Sequence, residues 1–287
     1  MDVKYVDMIN DYVFDNPVLS NTEASEYGIK ELPVSFGSHG IELQGTLILP
    51  PHATFSTPVP GAVLCHGFGS DRRVMESSAW LLVRKGIAAI IFDLRGHGLS
   101  GGCLDGNFYE DVVDAWGVLS NLSEVDSSRI ALIGHSLGAF SSVLAANKIK
   151  KPKALIALSC PSDMSGTIFT NPSCRISAFI RRLATIVGAY IVRFNRMKVR
   201  VDWNKFTESW LKIKLSSVLA ELNECTKLFV FSAGDLLTPY HRFATVYERT
   251  PGPKQKMLAQ GSHVTPIEAE ILRFEWIGWA VSALNSK

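Results

Sequence analysis

The sequence predicts an α/β fold with a mostly parallel twisted sheet and helices on both faces. Three observations carry this. Short apolar runs alternate with helical segments along most of the chain. Several of the runs, such as AVLC and ALIALS, are short buried runs, as a parallel sheet covered by helices on both faces requires. The chain has 287 residues, 47% of them hydrophobic, which is enough for one sizeable core.

The elements follow in order. Residues 1–32 form a leader rich in Asp and Glu, which the sequence leaves open as a tail or an extra element on the sheet edge. From Leu32, PVSF and IELQGTLILP alternate in polarity about the turn Gly37-Ser38-His39-Gly40, so a β-hairpin is expected at one edge. Pro50, Pro51, Pro58 and Pro60 then break the chain. AVLC, IAAIIFD, RIALIG and ALIALS read as successive buried strands. Helical stretches lie near 73–85, 108–122 and 137–148 between them. KLFVFSA and KQKMLAQ read as two later strands, each followed by a helical segment. Between Ser159 and Lys227 no convincing core strand appears, a gap too long for an ordinary connection, so an insertion over the sheet is expected. The domain reading is a core of residues 33–160 and 215–287 with a lid or cap at 161–214.

Composition excludes several classes. The net charge of +2, with no zinc-finger or RNA-binding spacing, gives no reason to expect nucleic acid. Five cysteines, with no CxxC pair, point to reduced thiols rather than a disulfide framework. The first fifteen residues lack the basic-then-apolar order of a signal peptide, and no window holds eighteen uninterrupted apolar residues. A cytoplasmic protein is therefore expected.

The chemistry starts at Gly134-His135-Ser136-Leu137-Gly138. A serine between two spaced glycines, after a buried strand and before a helix, matches a strained turn that displays a nucleophilic hydroxyl. The bland alternative is an ordinary glycine turn. A serine hydroxyl needs a base to take its proton. Of seven histidines, His263 in AQGSHVTP follows the last apolar run and precedes the final helix, at the rim where reactive groups gather. His135 should point away from the serine, and His97, in DLRGHGLSGG, reads as structural. His39, His52 and His241 have no site context. An imidazole base needs an acid to fix its tautomer. Asp235 in SAGDLLTP follows a buried strand and is preferred to Asp163 in SCPSDM. Its bland alternative is an Asx turn before Pro239. Two N–H donors for an oxyanion complete the set: Leu137, directly after the serine, and Phe68 in the glycine-flanked CHGFGS turn.

With these pieces in place, the chain resembles the α/β-hydrolases. LCHGFGSDRR, FDLRGHGLSGG, GHSLGAF, SAGDLLTP and QGSH occur in that superfamily's order, over roughly residues 30–285. The likeness is greatest to the branch of serine aminopeptidases, monoacylglycerol lipases and cinnamoyl or feruloyl esterases. It implies Ser136 as nucleophile, Asp235 as acid, His263 as base, and Phe68 and Leu137 as oxyanion donors. It implies a lid where residues 161–214 stand, and no metal or organic cofactor. The function expected is a serine hydrolase cleaving carboxylic esters through an acyl-enzyme. A peptidase or amide hydrolase, or a non-catalytic binding protein on the same fold, are the alternatives.

The lid region has an unusual charge. Residues 175–214 carry ten Lys or Arg against Asp202 and Glu208, a net +8 in a chain of +2, which leaves −6 elsewhere. Ile176, Phe179, Ile180, Leu183, Val187, Tyr190, Ile191 and Phe194 fall at three- and four-residue spacing, the stripe of an amphipathic helix. Three readings stand side by side: a solvated cap helix, a transient membrane-surface contact, and attraction of an anionic ester. Trp203 and Trp210 are candidates for the pocket wall or the core. The partner expected is a small-molecule ester, with oligomeric state left open.

Overall fold

The computed structural model describes residues 5–6, 28–149, 152–162 and 199–286. The expected lid stripe at 176–194, the rival acid Asp163 and Cys174 lie outside these residues, as does most of the leader.

The described strands form one sheet in the order β1-β9-β8-β7-β6-β4-β5-β3-β2. They are β1 (Tyr5–Val6), β2 (Lys30–Ser38), β3 (Ile41–Leu49), β4 (Val59–Cys65), β5 (Ala88–Phe92), β6 (Val125–His135), β7 (Ala154–Leu158), β8 (Thr226–Ser232) and β9 (Lys254–Ala259). β2 pairs antiparallel with β3, and β3 antiparallel with β5. Every other pairing is parallel. The six apolar runs read from the sequence are the strands β4 to β9. The hairpin turn is tighter than the four residues expected. β2 runs through Ser38 and β3 resumes at Ile41, so His39 and Gly40 alone turn the chain, both with positive φ (49° and 78°). That is the geometry a two-residue hairpin loop demands. Tyr5–Val6 pair with Leu258–Ala259, so part of the leader does add a short strand at the far edge.

β4, β5 and β7 are buried along their whole length because helices cover both faces. Alternation along β4 divides the core. Val63 and Cys65 face a cluster with α2 (Glu110–Ser120) and α3 (Leu137–Lys148). Ala62 and Leu64 face a second cluster with α1 (Glu76–Arg84) and the C-terminal helix Glu270–Asn285. Among the described residues no helix is long and apolar enough to cross a membrane.

Two features position the site. From β4 the chain crosses to β5 on one side and then to β6 on the other. This reversal opens a crevice at the carboxyl ends of β4 and β6, where ligands bind in open α/β sheets. Residues 199–201 then weave into the loop after β5. Arg200 N–H donates to the Gly96 carbonyl at 2.8 Å, and Leu104 N–H donates to the Arg200 carbonyl at 2.8 Å. This anchors α4 (Trp203–Lys212), whose N-cap Asp202 accepts from the Lys205 N–H, over the crevice. α5 (Leu215–Ala220) leads from there into β8.

Candidate functional site

The turn at Ser136 follows from how closely two elements approach. A Cβ on Gly134 would stand 2.2 Å from the Gly138 carbonyl oxygen. One on Gly138 would stand 2.2 Å from that of Cys65. Neither contact is tolerable, so both positions require glycine. Ser136, between them, takes φ 54° and ψ −117°, a strained conformation for a residue with a side chain. It is also the N-cap of α3, so the Leu137 N–H lies in the first turn, where helical N–H groups have no intrahelical acceptor.

The turn after β4 lies against this elbow. A Cβ on Gly67 would meet the Ser136 Cβ at 3.2 Å and His135 Nδ1 at 3.1 Å. The backbone beside Phe68 is thus brought to the serine. Two buried histidines shape the turn. His66 Nδ1–H donates to the Gly67 carbonyl at 2.7 Å, and its Nε2 accepts the Leu94 N–H at 3.0 Å. His97 Nδ1–H donates to the Arg95 carbonyl at 3.1 Å, and its Nε2 accepts the Gly69 N–H at 3.2 Å. Each ring therefore needs one bare nitrogen. Burial holds His66 at a pKa of about 4; burial, aided by the nearby His66, holds His97 at about 3. His97 is structural, as its sequence context suggested. His66 is a contributor the sequence reading passed over, although it adjoins the very glycines that were noticed. Arg95 fixes the second of these loops through a buried pair with Asp111 (2.6 Å) and further bonds to Asp105 and Ser38.

Asp235 lies three residues beyond the end of β8, one further than the apolar run implied, and is 1% exposed. Its Oδ1 accepts the N–H groups of Leu237 (2.8 Å) and Thr238 (2.9 Å). This is the Asx turn, so the bland reading of Asp235 holds as well. Its Oδ2 faces His263 Nδ1 at 2.8 Å and the Thr238 hydroxyl at 2.7 Å. Burial pushes its pKa upward, but the bonds from Thr238 and His263 outweigh that and leave it below the ordinary carboxylate value.

His263 lies between β9 and the last helices. Its backbone carbonyl accepts two side-chain bonds, from His135 Nε2–H (3.0 Å) and from the Ser159 hydroxyl (2.9 Å). The rings of His135 and His263 are 4.9 Å apart, so the loop carrying His263 rests against the residue preceding Ser136. Burial lowers His135 to a pKa of about 4, against an upward contribution from its bond to that carbonyl. Ser159, at the end of β7, has φ 49° and is fully buried. No signal in the sequence marked Ser159 or Thr238.

The wall over the crevice is aromatic. The Phe68 ring lies 6.1 Å from Trp203 and 6.4 Å from Phe206, both on α4. Trp210 stacks on Phe140 at 4.3 Å, with 8° between planes. Trp203 and Trp210 are both half-buried, with Trp210 packed onto the core and Trp203 against the Phe68 turn. Among the described residues no group of three or more His, Cys, Asp or Glu side chains is placed to hold a metal ion.

Comparison with known proteins agrees with this layout. In solved structures, the chain superposes on the esterase Pf2001 of Pyrococcus furiosus (TM-score 0.64, 17% identity, 98% of this chain and 96% of that one). It also superposes on Est1E of Butyrivibrio proteoclasticus with ferulic acid bound (0.67, 18%, 88% and 100%). A third match is the alpha/beta hydrolase GrgF of Penicillium sp. sh18 (0.68, 17%, 89% and 98%). Two uncharacterized proteins from strains of Mycobacterium tuberculosis are 34% identical over 103 residues, so the chain spans only 36% of the length of these curated relatives. The sequence profile of the alpha/beta hydrolase family matches residues 62–270, from β4 to the start of the last helix. A match over that span, on a parallel sheet with a glycine-flanked serine at its switch point, means that the chain belongs to the alpha/beta hydrolase family.

Proposed function

We propose that this hydrolase cleaves carboxylic esters through an acyl-enzyme formed on Ser136. The observation that carries the reading is the Asp235–His263 pair at 2.8 Å, tied through the His263 carbonyl to the residue before the strained serine. In this reading His263 takes the Ser136 proton as the hydroxyl attacks the ester carbonyl. Asp235 keeps the proton of His263 on Nδ1 and stabilises the imidazolium that forms. The N–H groups of Phe68 and Leu137 receive the oxyanion, at the turn pressed against Ser136 and at the positive end of α3. His263 then protonates the departing alcohol. Water attacks the acyl-enzyme with His263 again as base, which returns Ser136 and releases the acid.

The substrate we favour is an ester with an apolar or aromatic acyl group, for which Phe68, Trp203 and Phe206 supply a wall. The esterase and the ferulic-acid-bound protein among the structural neighbours support the same class. Residues 161–214 are read as the lid, and the cytoplasm as the compartment, in keeping with free Cys65, Cys103, Cys160 and Cys225. The test is turnover of p-nitrophenyl butyrate by wild type and Ser136→Ala, with labelling by a fluorophosphonate. Turnover and label should both vanish in the variant. A variant that hydrolyses the ester like wild type overturns the reading.

A further inference from the structure

The acid–base pair has a third member that neither the motif pattern nor the family match assigns. The Thr238 hydroxyl lies 2.7 Å from Asp235 Oδ2, 3.2 Å from His263 Nδ1 and 3.0 Å from the Ser159 carbonyl. It carries one hydrogen for two acceptors, the Asp235 carboxylate and the Ser159 carbonyl. The contact to the carboxylate is the shorter and is charge-assisted, so the hydrogen belongs there. Ser159 itself is fully buried, has positive φ, and sends its own hydroxyl to the His263 carbonyl. One strained serine at the end of β7 therefore touches the acid loop through its carbonyl and the base loop through its side chain.

We propose that Thr238 is a positioning residue for the Asp235–His263 pair, with Ser159 as its anchor on the sheet. The Asp235 carboxylate has two oxygens, and only one faces His263. The N–H groups of Leu237 and Thr238 occupy Oδ1. The Thr238 hydroxyl occupies the flank of Oδ2, which leaves Oδ2 a single free direction, toward His263 Nδ1. The same bond disperses part of the carboxylate charge and so tempers its pull on the imidazolium. Among the described residues the titratable groups facing His263 are Asp235 and His135, and the latter is neutral above about pH 4. Loss of the hydroxyl removes a donor from Oδ2 and an oxygen from beside Nδ1, and so changes how His263 is held against the carboxylate. The assignment of a catalytic role to the pair rests on the esterase reading; the contact and its effect on His263 do not.

The test is an NMR titration of His263 in protein labelled on histidine, for wild type, Thr238→Val and Thr238→Ser, with the resonance assigned through His263→Gln. Valine keeps the shape and removes the hydroxyl, while serine restores it. In the valine variant the His263 titration should move away from its wild-type position. The ester kcat should fall about 10- to 100-fold at near-constant KM, with the acid limb of kcat/KM moving together with that titration. Serine should restore both. Thr238 is only half-buried and its N–H bond to Asp235 survives substitution, so folding should persist. Thr238→Ala serves if valine crowds Ser159. A His263 titration unchanged in the valine or alanine variant overturns the proposal, as does a serine variant that behaves like valine. The titration needs no turnover, so a failure of the esterase reading shows separately, as Ser136→Ala activity.

Discussion

The ring of His135 donates from Nε2 to the backbone carbonyl of His263, 128 residues further along the chain, at 3.0 Å. One hydrogen bond thus ties the loop of the proposed base to the elbow of the proposed nucleophile. His135→Phe keeps the volume of the ring and loses that bond. It should lower kcat by about 10- to 100-fold with little change in KM, because a misplacement of about an ångström costs that much. Steady-state kinetics against the same p-nitrophenyl ester check this.

Asp235→Asn should be far more damaging than its size suggests. Asparagine Oδ1 would take the Leu237 and Thr238 N–H groups, which turns its NH₂ toward the Nδ1–H of His263. Two donors cannot face each other, so the imidazole is forced into the tautomer that cannot accept the serine proton. A fall of about 10³- to 10⁴-fold in kcat is expected, with the melting temperature nearly held.

Two glycines near the serine should fail in different ways. Alanine at 138 brings a Cβ to 2.2 Å from the Cys65 carbonyl oxygen, against backbone that cannot yield. Gly138→Ala should lower stability by about 3 kcal/mol or more, visible as a large drop in melting temperature or as insoluble protein. Alanine at 67 meets the Ser136 Cβ, the His135 ring and the His135 carbonyl oxygen, at 3.2, 3.1 and 3.4 Å. Gly67→Ala should fold, shift the Phe68 turn away from the serine, and lose about 100-fold in kcat.

Acid should weaken the fold through three buried histidines. His66, His97 and His135 are buried, with pKa values of about 4, 3 and 4 against an ordinary 6.5. From pH 6.5 down to about 4 the unfolded chain binds protons that the folded chain refuses. Stability is therefore full above pH 6.5 and falls as pH is lowered, by up to about 1.4 kcal/mol per pH unit for each histidine. The depressed Asp235 acts in the same direction, but below its ordinary value of 3.8. Melting temperatures from pH 7.5 to 4.5 should decline, and a flat profile would contradict the neutral assignment of these rings.

The sheet was legible because burial on both faces writes itself as apolar runs, as in β4, β5 and β7, while β9, with the sequence KQKMLA, is only partly buried and was placed by its position after the preceding helix. The elbow was legible because close approach leaves only glycine at 134 and 138. Asp235 and His263 could be singled out because each follows a strand end, and their order along the chain agreed with one family. What escaped notice depends on loops meeting in space. Ser159 and Thr238 are 79 residues apart, and nothing local distinguishes either from an ordinary serine or threonine. His66 was hidden by its neighbours, since a histidine in a glycine turn reads as part of the turn. The pairing of Tyr5–Val6 with β9 joins opposite ends of the chain through two residues, too few for any periodicity to register.

Ser136 holds its conformation only because β6 and α3 are clamped between Gly134, Gly138 and the end of β4. Before those parts dock, nothing keeps the residue out of the ordinary backbone basins, and its side chain is one seryl alcohol among many. On the esterase reading, the chemistry proposed for Ser136 therefore exists only while β6, α3 and the end of β4 stay docked.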